Sequence, residues 1–116
     1  MGALMANIKG RKAVKLQQNG DMDGAKKIYE EAMADGMSDP RMQLAYTVLL
    51  IRTGEVEKAK EVLVKIQKNP AMNAEQKQQL FMNYAVCCYK LGDLQRALDL
   101  MEKQHLRQPS GLIYET

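Results

Sequence analysis

The chain has 116 residues, enough for one domain with a modest core, and is 46% hydrophobic but only 5% aromatic, with no Trp and a single Phe. Its formal charge of +3 falls short of the dense basic stripe of a dedicated nucleic-acid binder, and no run of about 18 apolar residues could span a bilayer. The nine Met residues read first as filler between helices, although Met is also common on adaptable binding surfaces.

No secretion signal opens the chain. Met1-Gly2-Ala3-Leu4-Met5-Ala6 is weakly apolar, and reads as a fraying helix start or as the trailing edge of something upstream. Three glycine-acid pairs then punctuate the sequence: Gly20-Asp21, Gly54-Glu55 and Gly92-Asp93, spaced by 34 and 38 residues. Gly suits the left-handed position just past a helix end, and the acid suits the start of the next helix. A period of this length marks stacked helical hairpins. Helices are expected over residues 5–19, 22–35, 40–53, 56–68, 74–91 and 94–107.

The elements carry consistent local signals. Ala13 and Leu16 precede the first turn, Tyr46 and Leu50 the second, Tyr84 and Cys88 the third. After each turn comes a small residue and, four later, a larger one: Ala25 and Tyr29, Ala59 and Leu63, Ala97 and Met101. That spacing lets paired helices approach closely while the larger partner fills the space beside the contact. Asp39-Pro40 is a helix start, with Asp as cap and Pro in the first turn. Asn73 with Gln76 resembles a capping box, and Gly36 and Pro70 fall between hairpins. The four extra residues of the longer spacing belong to the loop near Asn69 to Asn73 or to the helix after it.

This pattern resembles the tetratricopeptide repeat (TPR) family, whose signature is an aromatic, a Leu and a small residue, a Tyr, then Ala, an aromatic and a Pro. The third repeat carries it best, through Phe81, Tyr84-Ala85, Cys88, Ala97, Met101 and Pro109; the second matches through Tyr46, Leu50, Ala59 and Leu63. In the first, Ala13, Leu16, Ala25, Tyr29 and Ala32 fit, but Lys9 and Lys12 stand where apolar residues belong, so that helix reads as an end of the array. The resemblance implies an all-α, right-handed α-α superhelix (a solenoid) of three hairpins plus the start of a further helix. Residues 1–116 then form a single domain with repeats at about 6–39, 40–73 and 78–111, expected to be a fragment of a longer protein.

Nothing in the sequence assembles an active site, and no enzyme, metal or cofactor is expected. The one His, His105, falls late in the sixth helix and has no Cys at metal-ligand spacing. Cys87 and Cys88 are neighbours that point in different directions along a helix, so they read as small packed hydrophobes in a reduced setting. Ser38 and Ser110 stand at helix starts and read as caps, not nucleophiles. The glycine turns lack the Lys-Ser or Lys-Thr ending of a phosphate loop.

In the TPR family the first helix of each repeat lines a concave groove that binds an extended or helical peptide. The resemblance places Asn7, Arg11, Val14, Gln17 and Gln18 there from the first helix. From the third come Arg41, Leu44, Ala45, Val48, Ile51 and Arg52, and from the fifth Gln79, Met82, Asn83, Val86, Tyr89 and Lys90. The segments holding these helices (1–20, 40–54 and 75–90) carry eight Lys or Arg and one acid, Glu75, whereas 21–39, 55–69 and 91–108 carry nine bases against twelve acids. The expected partner is therefore a protein or peptide with acidic and apolar residues, steered by the field of a basic groove.

Capture of a chaperone's C-terminal carboxylate is not expected. The places that would hold Lys, Asn and Arg are Gly10, Val14, Ala45, Gln79 and Asn83, of which only Asn83 resembles the set. Nucleic acid is disfavoured too, with Tyr89 alone placed for stacking. The alternative is a homodimer formed through the terminal repeat faces. The expected location is the cytoplasm, with the soluble part of a membrane-anchored protein as the variant.

Overall fold

In the computed structural model, which describes residues 2–103, six helices follow in order: α1 (Gly2–Gln18), α2 (Met22–Ala34), α3 (Pro40–Arg52), α4 (Val56–Ile66), α5 (Ala74–Lys90) and α6 (Leu94–Lys103). They form three successive antiparallel hairpins, α1–α2, α3–α4 and α5–α6, stacked side by side into a slab of 42 × 29 × 19 Å. The expected extension of the last helix to 107, with His105, Pro109 and Ser110, lies outside the described residues.

One device makes every sharp reversal. Gly20, Gly54 and Gly92, with Gly36 between hairpins, adopt φ of 86–92°, a region that costs an L side chain about 1–2 kcal/mol. At each, the residue after Gly donates its N–H to the carbonyl five residues back, as Asp21 does to Leu16 at 2.9 Å and Asp93 to Cys88 at 2.8 Å. Gly itself donates to the carbonyl three back, so each helix end has its orphan carbonyls filled.

Helix starts are more varied. The Asp39 carboxylate accepts from Arg41 N–H at 3.0 Å with Pro40 as the first helical residue. Asn73 and Gln76 exchange side-chain-to-backbone bonds of 2.7 and 3.0 Å in a complete capping box. Asp21 and Asp93 accept from Gly24 and Arg96 N–H groups, but Glu55 makes no such bond, its carboxylate pairing instead with Lys26 of α2. Ser38, read from sequence as a cap, stands one residue too early; Asp39 has the shorter reach to α3.

Helical spacing delivers the core. Ala6, Gly10 and Ala13 on α1, Ala25, Tyr29 and Ala32 on α2, and Ala59, Leu63 and Ile66 on α4 repeat one buried i, i+4, i+7 stripe. Small residues bring the helices together, and Tyr29 stacks on Tyr46 across the first two hairpins with ring centroids 5.1 Å apart. α3 lies between neighbouring hairpins and buries residues on more than one face, including Met42, Leu44, Tyr46, Leu49 and Leu50. Met37, Met42, Met72 and Met101 are buried as gap fillers. The sulfurs of Met37 and Met42 close so tightly on Gly10 that an added Cβ would lie 2.5 and 2.6 Å from them.

The core divides into two clusters. The larger runs through the first two hairpins and reaches Leu80 and Cys87 on α5; the smaller holds Ala85, Cys88, Ala97 and Met101 between α5 and α6. Both cysteines are buried and free, and burial pushes the Cys87 thiol up to about 11.

The four extra residues of the third period are placed by the structure in the helix. α5 begins at Ala74, 34 residues after Pro40, yet has 17 residues where α3 has 13. The preceding connection is also longer, but α4 is correspondingly shorter than α2, so these two changes cancel ahead of α5.

Polar side chains pin the α2–α3 connection from both sides. Asn7 Oδ1 of α1 accepts from the N–H groups of Ser38 and Asp39 at 2.9 and 3.2 Å. Asn69, beyond α4, donates to the Ser38 carbonyl and to Gln43 Oε1, both at 2.8 Å, while buried Gln43 donates to the Met37 carbonyl at 2.9 Å.

Candidate functional site

α1 and α3 are adjacent first helices, and small or β-branched residues between them leave a trough. One part, of 360 Å³, is lined by Arg11, Val14, Lys15, Arg41, Met42 and Ala45. The next, of 560 Å³, is lined by Val14, Gln17, Gln18, Gly20, Met22, Ala45, Val48 and Arg52. Shared Val14 and Ala45 make the two parts continuous. Ala45 leaves the floor open where a longer side chain would close it, and Val14 and Val48 are half-buried along its length.

The trough is apolar along its floor and cationic at its edges. Arg11, Lys15, Arg41 and Arg52 are all exposed, and no acid is among the lining residues. Arg41 is partly compensated: its Nη2 lies 3.1 Å from Asp39 Oδ2, and this guanidinium holds the Asp39 carboxyl below its ordinary value, with Arg11 adding a smaller pull. The lining has no carboxylate, imidazole or thiol to act as nucleophile or general base. Its chemistry is that of an open surface with an apolar floor and cationic edges.

Of the residues expected to face a ligand, Arg11, Val14, Gln17, Gln18, Arg41, Ala45, Val48 and Arg52 line this trough. Leu44 is buried in the core, and Ile51 packs half-buried against it. Asn83 is buried as well, donating to Thr47 Oγ1 at 3.3 Å while accepting from Gln79 at 2.8 Å. Leu44 and Asn83 are therefore buried rather than open to a ligand, Asn83 in the contact between α5 and α3. Asn7 is committed to the Ser38–Asp39 backbone, and Gln17 Oε1 accepts the Tyr29 hydroxyl at 2.8 Å. On α5, Met82 and Tyr89 pack half-buried on the smaller cluster and Val86 is half-buried near them; none lines the trough. Lys90 joins Leu91, Glu55, Glu57, Lys58 and Glu61 around a separate open notch of 710 Å³ beside two of the glycine turns.

Sequence reasoning missed Lys15, Gly20, Met22 and Met42 as lining residues. Lys15 stands four after Arg11, and that spacing alone places it on the same strip of α1. Met42 gave no such signal, because it is both a core residue and part of the trough wall.

The fold and trough together define a structural class, the stacked helical-hairpin repeat with a groove along its first helices. A family model described as tetratricopeptide repeat matches residues 16–80, more than half of the 116 residues, and the chain belongs to that family. Repeats of this family generally mediate protein–protein interaction and typically form non-catalytic modules. Neither the curated proteins nor the solved structures yielded a match. Among the described residues no helix is long and apolar enough to cross a membrane, and no group of three His, Cys, Asp or Glu is placed to hold a metal ion.

Proposed function

We propose that the α1–α3 trough binds an extended or helical segment of a partner protein that carries acidic and apolar side chains. The observation that carries this reading is the continuous lining: apolar Val14, Ala45 and Val48 between Arg11, Lys15 and Arg52, with no acid among them. Exposed ion pairs contribute only about 0–1 kcal/mol each, so the cations steer and orient while the apolar floor supplies most of the affinity. The test is affinity capture with the wild-type chain and with an Arg11→Glu, Lys15→Glu, Arg52→Glu variant of unchanged helicity, followed by binding measurements with the captured segment. Loss of at least tenfold in the variant, with weakening by salt in the wild type, supports the trough. Equal binding by both places the site elsewhere.

A second reading is self-association. Leu4, Met5 and Ile8 on α1 are 66, 55 and 44% exposed and, with Lys12, run along one side of that helix. A second copy packed on this strip would remove them from water. Mass that rises with concentration, and falls to the monomer value in Ile8→Glu, would support it.

A further inference from the structure

On the side of the molecule formed by second helices, α4 and α6 flank α5 and leave a narrow crevice of 180 Å³. Its walls are Val64 from α4 and Gln67 just beyond that helix, Leu80, Phe81 and Tyr84 from α5, and Leu100 and Arg96 from α6. Val64 at the rim is 49% exposed, an unusual place for a β-branched apolar residue beside an opening. The space is too small for a cofactor-sized ligand, which needs roughly 300 Å³ or more, but an apolar cavity of about 150 Å³ accommodates a benzene-sized group.

Two cations converge beside this opening. Lys60 Nζ lies 5.6 Å and the Arg96 guanidinium carbon 5.9 Å from the centroid of the Tyr84 ring. Neither forms an ion pair among the described residues, whereas nearby Lys58 and, on α2, Lys26 are each paired with a carboxylate. The Tyr84 ring thus has two cations against it, of which Arg96 is itself part of the crevice wall. A carboxylate at the mouth of the crevice would be attracted by Arg96 and, from beside the same ring, by Lys60.

We propose that this crevice is a second docking site, separate from the trough, for a protein segment that inserts one large apolar side chain with an Asp or Glu beside it. The apolar group enters between Val64, Phe81 and Leu100, and the flanking carboxylate meets the Arg96 guanidinium on the crevice wall, with the Lys60 charge beside the same Tyr84 ring. This surface belongs to the second helices, so it can be occupied while the trough is filled, and its ligand need not come from the same partner.

The probes are three synthetic peptides of one length, with centres Glu-Phe-Glu, Lys-Phe-Lys and Glu-Ala-Glu, titrated by heteronuclear NMR into the labelled full chain. The expected result is saturable shifts centred on Val64, Phe81, Tyr84 and Leu100 with Glu-Phe-Glu, and at least tenfold weaker binding of the other two. A Lys60→Glu, Arg96→Glu variant and, independently, Val64→Asp should each lose at least tenfold of this binding; an Arg11→Glu, Lys15→Glu, Arg52→Glu variant should keep it. The proposal is overturned by absence of binding, by equal binding of the three peptides, or by shifts confined to α1 and α3. In the last case the trough reading stands alone. Loss of trough binding with the crevice intact would overturn only that reading.

Discussion

Tyr29 shows how a single side chain can set the pH limits of this molecule. Its ring is fully buried against Tyr46, and burial pushes its phenol up to about 12, because the folded state disfavours the charged phenolate. A raised value means that the folded state holds its proton more tightly than the unfolded one, whose Tyr titrates near 10. The associated stability is complete below about pH 10 and is lost as pH rises through about 12; a shift of this size corresponds to about 3 kcal/mol. Cys87 adds to the same alkaline loss from about pH 9 to 11. Urea titrations between pH 8 and 12 should show a steep fall that is shallower in Tyr29→Phe, which starts about 1 kcal/mol less stable for want of the bond to Gln17. A variant curve parallel to the wild type would contradict this account. On the acid side, Asp39 and Glu55 are held below their ordinary values by Arg41 and Lys26, so their contribution is present near neutrality and fades as pH falls through the carboxylate range.

Asn83 is the other residue with a definite expectation. It is buried between α3 and α5, with Thr47 as its acceptor and Gln79 as its donor. Asn83→Ala leaves Thr47 without that donor and opens a small void, and should cost about 1–3 kcal/mol in chemical denaturation. Binding in the trough should be unchanged, because Asn83 does not line it. Reduced trough affinity with normal stability would restore Asn83 to the ligand-facing set.

At the level of elements, the caps and glycine turns set where each helix begins and ends. Asp39→Ala removes the carboxylate that receives Arg41 N–H and should lower stability by about 1 kcal/mol. Gly54→Ala meets no side chain, since the space around its Cβ position is open, yet its φ of 86° should still cost about 1–2 kcal/mol. Thermal unfolding of both variants would drop by several degrees. An unchanged midpoint for Gly54→Ala would mean that the turn relaxes to another conformation.

These same elements explain what could be read in advance. Helix periods, the glycine turns and the Asp39 and Asn73 starts act through neighbours within about five residues, so the chain itself displays them. Glu55 did not follow the pattern of Asp21 and Asp93: its side chain is one methylene longer, and Lys26 is within reach only after folding. Leu44 and Asn83 were placed in the groove by their position on first helices. Their burial depends on how neighbouring helices pack, which no local spacing reveals. The trough between Arg11 and Arg52 was foreseeable from charge segregation, whereas the crevice at Tyr84 requires α4 and α6 to be placed together.

Among the described residues the molecule is an array of three hairpins, of which the third has its own small core. Ala85, Cys88, Ala97 and Met101 form a cluster apart from the one that runs from Ala6 to Cys87. In a stack where each unit contacts only its neighbours, such an end unit can open before the rest. Amide hydrogen exchange should therefore protect α3 most strongly and α6 least, with the turn at Gly92 exchanging before that at Gly54. Uniform protection across all six helices would show instead that the array unfolds as one unit.

The division of the core falls between two adjacent cysteines. Cys87 belongs to the large cluster and Cys88 to the small one, and both thiols are buried. The chain thus contains a pair of chemical clocks one residue apart. In the single-thiol variants Cys87→Ala and Cys88→Ala, the rate of alkylation of the remaining sulfur times the opening of one compartment alone. If the ends of the array breathe independently, Cys88 is labelled long before Cys87, and a ligand that clamps the last hairpin slows only the faster clock.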